Sequence, residues 1–150
     1  MKTTLLLSLL ALISGALIPV QAASNAALSR TIGGNVPFAA LTLFLVAAAA
    51  SAVVVLVQGQ GLPVSKALAE SPWWSFSGGP IVAFYVFTIT FLSPRLGVGN
   101  AIALIVAGQV FSALTIDHFG LMRSLVFTLT PTRIAGAALV VVGVFLALRR

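Results

Sequence analysis

The sequence predicts an all-α membrane protein, a bundle of five transmembrane helices that makes a single domain of residues 1–150. Three observations predict it. Only ten of the 150 residues are Lys, Arg, Asp or Glu, 7% of the chain where a soluble domain carries roughly 25%. Hydrophobic residues make up 60%, and the mean hydropathy is +1.18. The few charges also fence off uncharged stretches long enough to cross a bilayer. This composition excludes a disordered chain, which needs low hydrophobicity and high charge. It argues against a soluble globule too, because ten charges cannot dress the water-facing surface of a chain this size. The chain has no cysteine, so a disulfide framework, a thiolate metal site and a Cys nucleophile are all excluded.

The spans follow from the charge positions. Between Lys2 and Arg30 lie 27 uncharged residues, between Arg30 and Lys66 35, between Glu70 and Arg95 24, and between Arg95 and Asp117 21. A spanning helix needs about 20. Between Arg133 and Arg149 lie 15, enough only if the helix starts near Pro131 and Arg133 snorkels to the interface. The predicted helices are 4–27, 37–57, 73–92, 98–118 and 131–148.

Helix one carries Ser14, Gln21 and Asn25, whose steps of seven and four put them on one face. Beside them run Ser8, Ala11, Gly15, Ala22 and Ala26, and Pro19 removes one backbone hydrogen bond at mid-helix. Two readings stand: the polar row bonds a neighbouring helix across a close contact, or it lines a cavity and binds a substrate without a charge penalty. The same segment also has a signal-peptide pattern, with Lys2, an apolar run to Val20 and the small-residue stop Val20-Gln21-Ala22. Against cleavage stand the length of the run and the arginines that cleavage would leave outside.

Gly33-Gly34-Asn35-Val36-Pro37 separates helix two from helix one, and Gln58-Gly59-Gln60-Gly61-Leu62-Pro63 separates it from helix three. Glu70 reads as a solvated loop charge beside Lys66. Trp73 and Trp74 open helix three, as an interfacial aromatic belt would place them. Gly78, Gly79 and Pro80 weaken the helical ladder that follows, which suits close packing or a cavity wall. Ser93-Pro94-Arg95-Leu96-Gly97 is a tight turn. Helix four carries Gln109 and Ser112 on a broad polar face and ends on Asp117 and His118. Asp117 is the one carboxylate near a span, hence either a proton site or a wetted interfacial residue. The Asp-His pair lacks the third ligand of a metal site and has no assignable Ser partner, so no catalytic residue, metal or cofactor is expected. Thr130 and Pro131 give helix five a normal start, and Gly136 and Gly143 give it a packing face.

The net charge of +6 does not form a nucleic-acid patch, because the basic residues are spread singly along the chain, with only Arg149 and Arg150 adjacent, and basic residues in a membrane protein mark loops and helix ends. Five spans place Lys2, Lys66, Arg123 and Arg133 on one side and Arg30, Arg95, Arg149 and Arg150 on the other. That four-to-four split removes the bias that sets orientation. Either weaker cues orient the chain, or copies insert both ways and pair as an antiparallel dimer with the inverted symmetry of many transporters.

The sequence resembles the YdcZ-type family of five-helix bacterial inner-membrane proteins in the drug/metabolite transporter superfamily. The resemblance covers nearly the whole chain. It is carried by Pro19 to Leu28, by Pro72-Trp73-Trp74 with Gly78-Gly79, by Pro94-Arg95-Leu96-Gly97, and most specifically by Gly108-Gln109 with Ile116-Asp117-His118-Phe119-Gly120. It implies that helix one is retained. It also implies kinship with small multidrug-resistance proteins, which work as antiparallel dimers, and a family whose members occur as singles, pairs and fusions. One departure matters: those relatives use a membrane Glu in helix one, and helix one here has none, so proton-coupled cation efflux does not carry over.

The expectation is therefore a multi-pass inner-membrane transporter, an exporter of a small molecule and not an enzyme, working by alternating access in an antiparallel homodimer or with a close paralogue. Ser14, Gln21, Asn25, Gly78, Gly79, Gln109 and Ser112 are expected to line the cavity or bind substrate, and Asp117 and His118 to couple protons. A narrow ion channel formed by a dual-topology dimer and a non-transporting membrane subunit are the alternatives. Expected partners are the lipid bilayer, a second copy and the small-molecule substrate, with no nucleic acid.

Overall fold

The computed structural model describes residues 2–59 and 69–149. In order the elements are α1 (Lys2–Thr31), α2 (Val36–Val57), a 3₁₀ turn (Trp73–Phe76), α3 (Gly78–Leu96), α4 (Val98–Phe119), a second 3₁₀ turn (Leu121–Arg123) and α5 (Pro131–Leu148). Among the described residues there is no strand. Among the described residues, five helices are long and apolar enough to cross a membrane. In hydrocarbon every backbone N–H and C=O must be satisfied within the segment, and only a helix does that without a partner strand. Even the valine-rich end of α2 is therefore helical.

All five predicted helices are present, with corrections at their ends. α1 continues four residues beyond the expected end, and its 30 residues span about 45 Å at the usual rise, longer than a hydrocarbon core of about 30 Å. It stays helical across Pro19, and Val20-Gln21-Ala22 falls inside the continuous helix with Ala22 fully buried. Ser93 to Leu96 form the last turn of α3, not a tight turn. Pro94 leaves only the Thr90 carbonyl without its N–H partner, and membrane helices tolerate that loss. Gly97, at φ 84, then breaks the chain. Gly78, Gly79 and Pro80 lie inside the candidate span Trp73–Leu96, where the ladder changes from the 3₁₀ turn Trp73–Phe76 to α-helix, in keeping with the weak ladder expected there. They are the first turn of α3, where Pro80 has no N–H to waste. Lys66, Arg150 and the Gln60-to-Pro63 part of the second separator lie outside the described residues.

The chain divides into two compact units, Met1–Pro94 and Arg95–Arg150. In the first, Gly33 (φ 74) and Gly34 (φ 82) take the left-handed backbone that turns α1 into α2. The Asn35 side chain accepts the Phe38 N–H at 3.0 Å and caps α2. α1 packs against α2, and Ala22 and Ala26 of the one and Ala39 and Ala40 of the other are buried. Small side chains let two backbones approach closely, which is where helix association in lipid gets its dispersion energy. α1 buries Ala22, Asn25, Ala26 and Ser29; α3 buries Val86, Ile89, Thr90 and Ser93. The two stripes have identical helical spacing. Away from this region residues 4–16 of α1 and the second half of α2 are exposed.

In the second unit α4 packs against α5. Gly120 ends α4 in the left-handed region, at φ 58. An added Cβ there would meet Val126 Cγ2 at 2.7 Å, so both conformation and space require glycine. Thr130 caps α5 as expected, accepting the Arg133 N–H at 3.3 Å.

Candidate functional site

A chain this apolar makes each polar side chain in a span conspicuous, because lipid offers it no partner. In the first unit the amide of Asn25 donates from Nδ2 to the Thr90 hydroxyl at 2.6 Å, and both residues are buried. This is the bond that joins the stripes of α1 and α3. The remainder of the expected row on α1 does not converge with it. Ser14 is exposed and donates to the Leu10 carbonyl of its own helix at 2.9 Å, a local bond that serves no second element. Gln21, one turn before Asn25, is half-buried, and its Nε2 is buried without a hydrogen-bond partner among the described residues. Of the small residues, Ala22 and Ala26 pack, whereas Ser8, Ala11 and Gly15 are exposed. Gly78 and Gly79 are exposed as well, with open space where a Cβ would stand.

In the second unit the polar residues divide into a mid-span pair and a cluster at one end. Gln109 and Ser112 are exposed. Gln109 lies at the centre of the 22-residue α4. Asp117 and His118 lie in its last turn and are tied into the connection that follows. Asp117 Oδ2 accepts from Arg133 at 2.7 Å, an ion pair whose side chains are 31% and 35% exposed. The backbone carbonyl of Asp117 accepts the Phe127 N–H at 2.9 Å. Arg133 also donates to the Phe127 carbonyl at 3.1 Å and stands over the Phe127 ring, 5.8 Å from its centroid. His118 Nδ1 accepts the Leu129 N–H at 3.3 Å, which leaves Nε2 to carry the proton of the neutral ring. Ser124 donates to the Ile116 carbonyl at 3.3 Å. Asp117 and His118 thus clasp residues 124–130 and the start of α5 to the end of α4.

Three participants were not legible as site residues: Thr90, Arg133 and the segment 124–130. Arg133 is visible in the sequence only as a charge that must escape the bilayer. The signal for its partner was present, an opposite charge at the end of the preceding span, because two helices joined by a short connection bring those ends together. Thr90 carried no signal, since a lone hydroxyl in an apolar helix ordinarily bonds its own backbone. Among the described residues there is no group of three His, Cys, Asp or Glu side chains able to hold a metal.

An apolar groove of about 550 Å³ opens along α4 and α5, lined by Phe111, Leu114, Thr115, Leu129, Ala138 and Val142 among others. Of the expected site residues none lines it. Its Leu129 and Ile134 walls adjoin the clasp, through the Leu129–His118 hydrogen bond and through Arg133, the neighbour of Ile134.

Five helices among the described residues, each long and apolar enough to cross a membrane, define a polytopic membrane protein with lipid as its surrounding solvent. A family model described as "Putative inner membrane exporter, YdcZ" matches residues 6–146. The chain belongs to that family and is a multi-pass inner-membrane protein. Neither the curated proteins nor the solved structures contain a significant match to it.

Proposed function

We propose that this protein exports a small, hydrogen-bonding molecule by alternating access in an antiparallel dimer. The observation that carries the reading is Gln109: an amide exposed at the middle of a 22-residue span. An amide at that depth facing lipid alone forfeits its hydrogen bonds, at about 1–3 kcal/mol. A second copy or a water-filled cavity meets that need, and the transporter class supplies the reason to keep it. Gln21, with a buried and unpartnered amide nitrogen, supports the same reading in the other unit. Asn25 positions α1 through Thr90, and Ser14, Gly78, Gly79 and Ser112 border the pathway on the exposed faces of their helices. Asp117 and His118 gate or couple it from the end of α4. The even division of eight cations between the two sides favours insertion in both orientations.

The test uses purified protein and a ligand library read by thermal shift, since a ligand that binds only the folded state raises its melting temperature. Gln21→Leu and Gln109→Leu should keep or raise the melting temperature without ligand, because each removes an unpaired amide, and should lose the shift given by the hits. Hits loaded into proteoliposomes should show saturable transport that both variants lack. A hit that stabilises and is transported equally well by both variants would overturn the assignment. Single-channel current in place of saturable transport would make the protein a channel. A C-terminal reporter active on one side only would remove the dual-topology component.

A further inference from the structure

The second unit carries a feature that the transport reading does not use. The apolar groove along α4 and α5 ends beside a patch that is basic on balance. Arg133 stands at that end, next to the groove residue Ile134, and His118 is bonded to the groove residue Leu129. Arg123 follows in the connection, one residue before Ser124, whose hydroxyl is bonded to the last turn of α4. The one acid in the patch is Asp117, and Arg133 already engages it. Of the five N–H donors of a guanidinium, Arg133 spends two, on Asp117 and on the Phe127 carbonyl. Arg123 is exposed and has no partner among the described residues. Its charge is uncompensated.

The backbone beneath that charge is unusual. Met122 and Arg123 both sit in the left-handed region, at φ 56 and φ 61, with only Leu121 between them and the left-handed Gly120 at φ 58. Non-glycine residues take that conformation at a cost and keep it only where their surroundings over-determine it. The strain thus falls at the arginine whose charge is free. The connection between two spans also lies at headgroup depth. An apolar groove that runs into the bilayer from a basic, donor-rich rim at that depth is complementary to one kind of molecule: acyl chain below, phosphate above. Guanidinium groups suit phosphate because their planar fork meets two oxygens at once, and basic pockets between membrane helices hold anionic headgroups.

We infer that the α4–α5 groove is a binding site for an anionic phospholipid, with an acyl chain against Leu114, Ala138 and Val142 and the phosphate on Arg123 and the spare donors of Arg133. Thr115 and Phe111 complete the chain's wall. The occupant is a lipid of the surrounding bilayer, distinct from the exported molecule.

The test is native mass spectrometry of the delipidated full chain, given equal amounts of phosphatidylglycerol and phosphatidylcholine with identical acyl chains, with glycerol 3-phosphate as a third arm. One phosphatidylglycerol per chain should be retained, with a preference of about fivefold over phosphatidylcholine for one unpaired arginine. Arg123→Gln should bring that preference close to parity, and Arg30→Gln, at an exposed arginine of the other unit, should leave it unchanged. Ala138→Trp should fill the groove and abolish retention of both lipids without lowering the melting temperature. Glycerol 3-phosphate should not be retained, because it lacks the chain. Parity in the unmodified protein, an equal loss with Arg30→Gln, or retention of glycerol 3-phosphate would overturn the inference. If Ala138→Trp dissociates a dimer and leaves lipid retention intact, the groove belongs to a second copy and the inference likewise fails. Arg123→Gln alters an exposed side chain and stands as a test even where the tryptophan variant does not insert.

Discussion

The two units of this chain hold themselves together by different means. Met1–Pro94 is joined at membrane depth by uncharged contacts: buried alanines on α1 and α2 and one amide–hydroxyl bond, Asn25 to Thr90. Arg95–Arg150 buries less, only Ala101 and Ala137 among its described residues, and relies on the charged clasp at the end of α4. The difference shows what each depth permits. A neutral hydrogen bond adds to close packing without introducing charge into hydrocarbon. An ion pair is tolerable where water reaches it, and the Asp117–Arg133 side chains retain about a third of their exposure.

The largest effect expected to sharpen this contrast comes from one substitution made in each unit. Ala22→Leu inserts bulk at a site with no exposure and should destabilise by about 2–3 kcal/mol. Ala137→Leu enlarges a residue that lines the open groove and should cost less than about 1 kcal/mol. Unfolding in mixed micelles measures both. Equal costs would break the comparison, because the second unit would then be as tightly packed as the first. Gly120→Ala comes next, at about 1–2 kcal/mol, since it combines a left-handed φ with a close approach to Val126. A branched valine cannot easily turn aside. Its signature should be local: hydrogen exchange should rise over residues 124–130 and stay unchanged at Asn25.

The smallest effects distinguish the two kinds of bond. Asn25→Leu leaves the Thr90 hydroxyl without its partner and should cost about 1 kcal/mol, independent of salt. Asp117→Asn should cost roughly 0.5 kcal/mol at low ionic strength, with the difference from the unmodified protein shrinking toward zero near 1 M salt. A salt-independent loss at Asp117 would mean that the clasp is shielded from water, and the distinction of depth would fall.

Much of the fold was legible because composition and charge position act through the bilayer itself. Four uncharged intervals and a fifth that begins just before Arg133 made five spans, and the Thr130 and Asn35 caps and the left-handed Gly33 and Gly34 lay where the separators were read. Boundaries erred where a local signal met a tolerant solvent. Pro94 reads as a helix stop in water, yet α3 runs through it. Gly78, Gly79 and Pro80, by contrast, read as a weak point inside a span, and there the span Trp73–Leu96 changes from a 3₁₀ turn to α-helix. The candidate site was less legible. Ser14, Gln21 and Asn25 share a face by spacing, but each meets a different surrounding: its own backbone, no partner, and Thr90. Asp117 and His118 stood out by chemistry, but their role in holding residues 124–130 depends on a loop path that no spacing rule encodes.

By itself, the sequence determined that this chain has five segments able to cross a membrane, because hydrocarbon excludes charge and admits only a backbone that bonds to itself. The tertiary structure alone decided which polar residues meet. Asn25 found Thr90, Asp117 found Arg133, and Gln21 and Gln109 were left without a hydrogen-bond partner among the described residues. Such pairings depend on the rotation and approach of packed helices, and those are set by the sum of many small contacts.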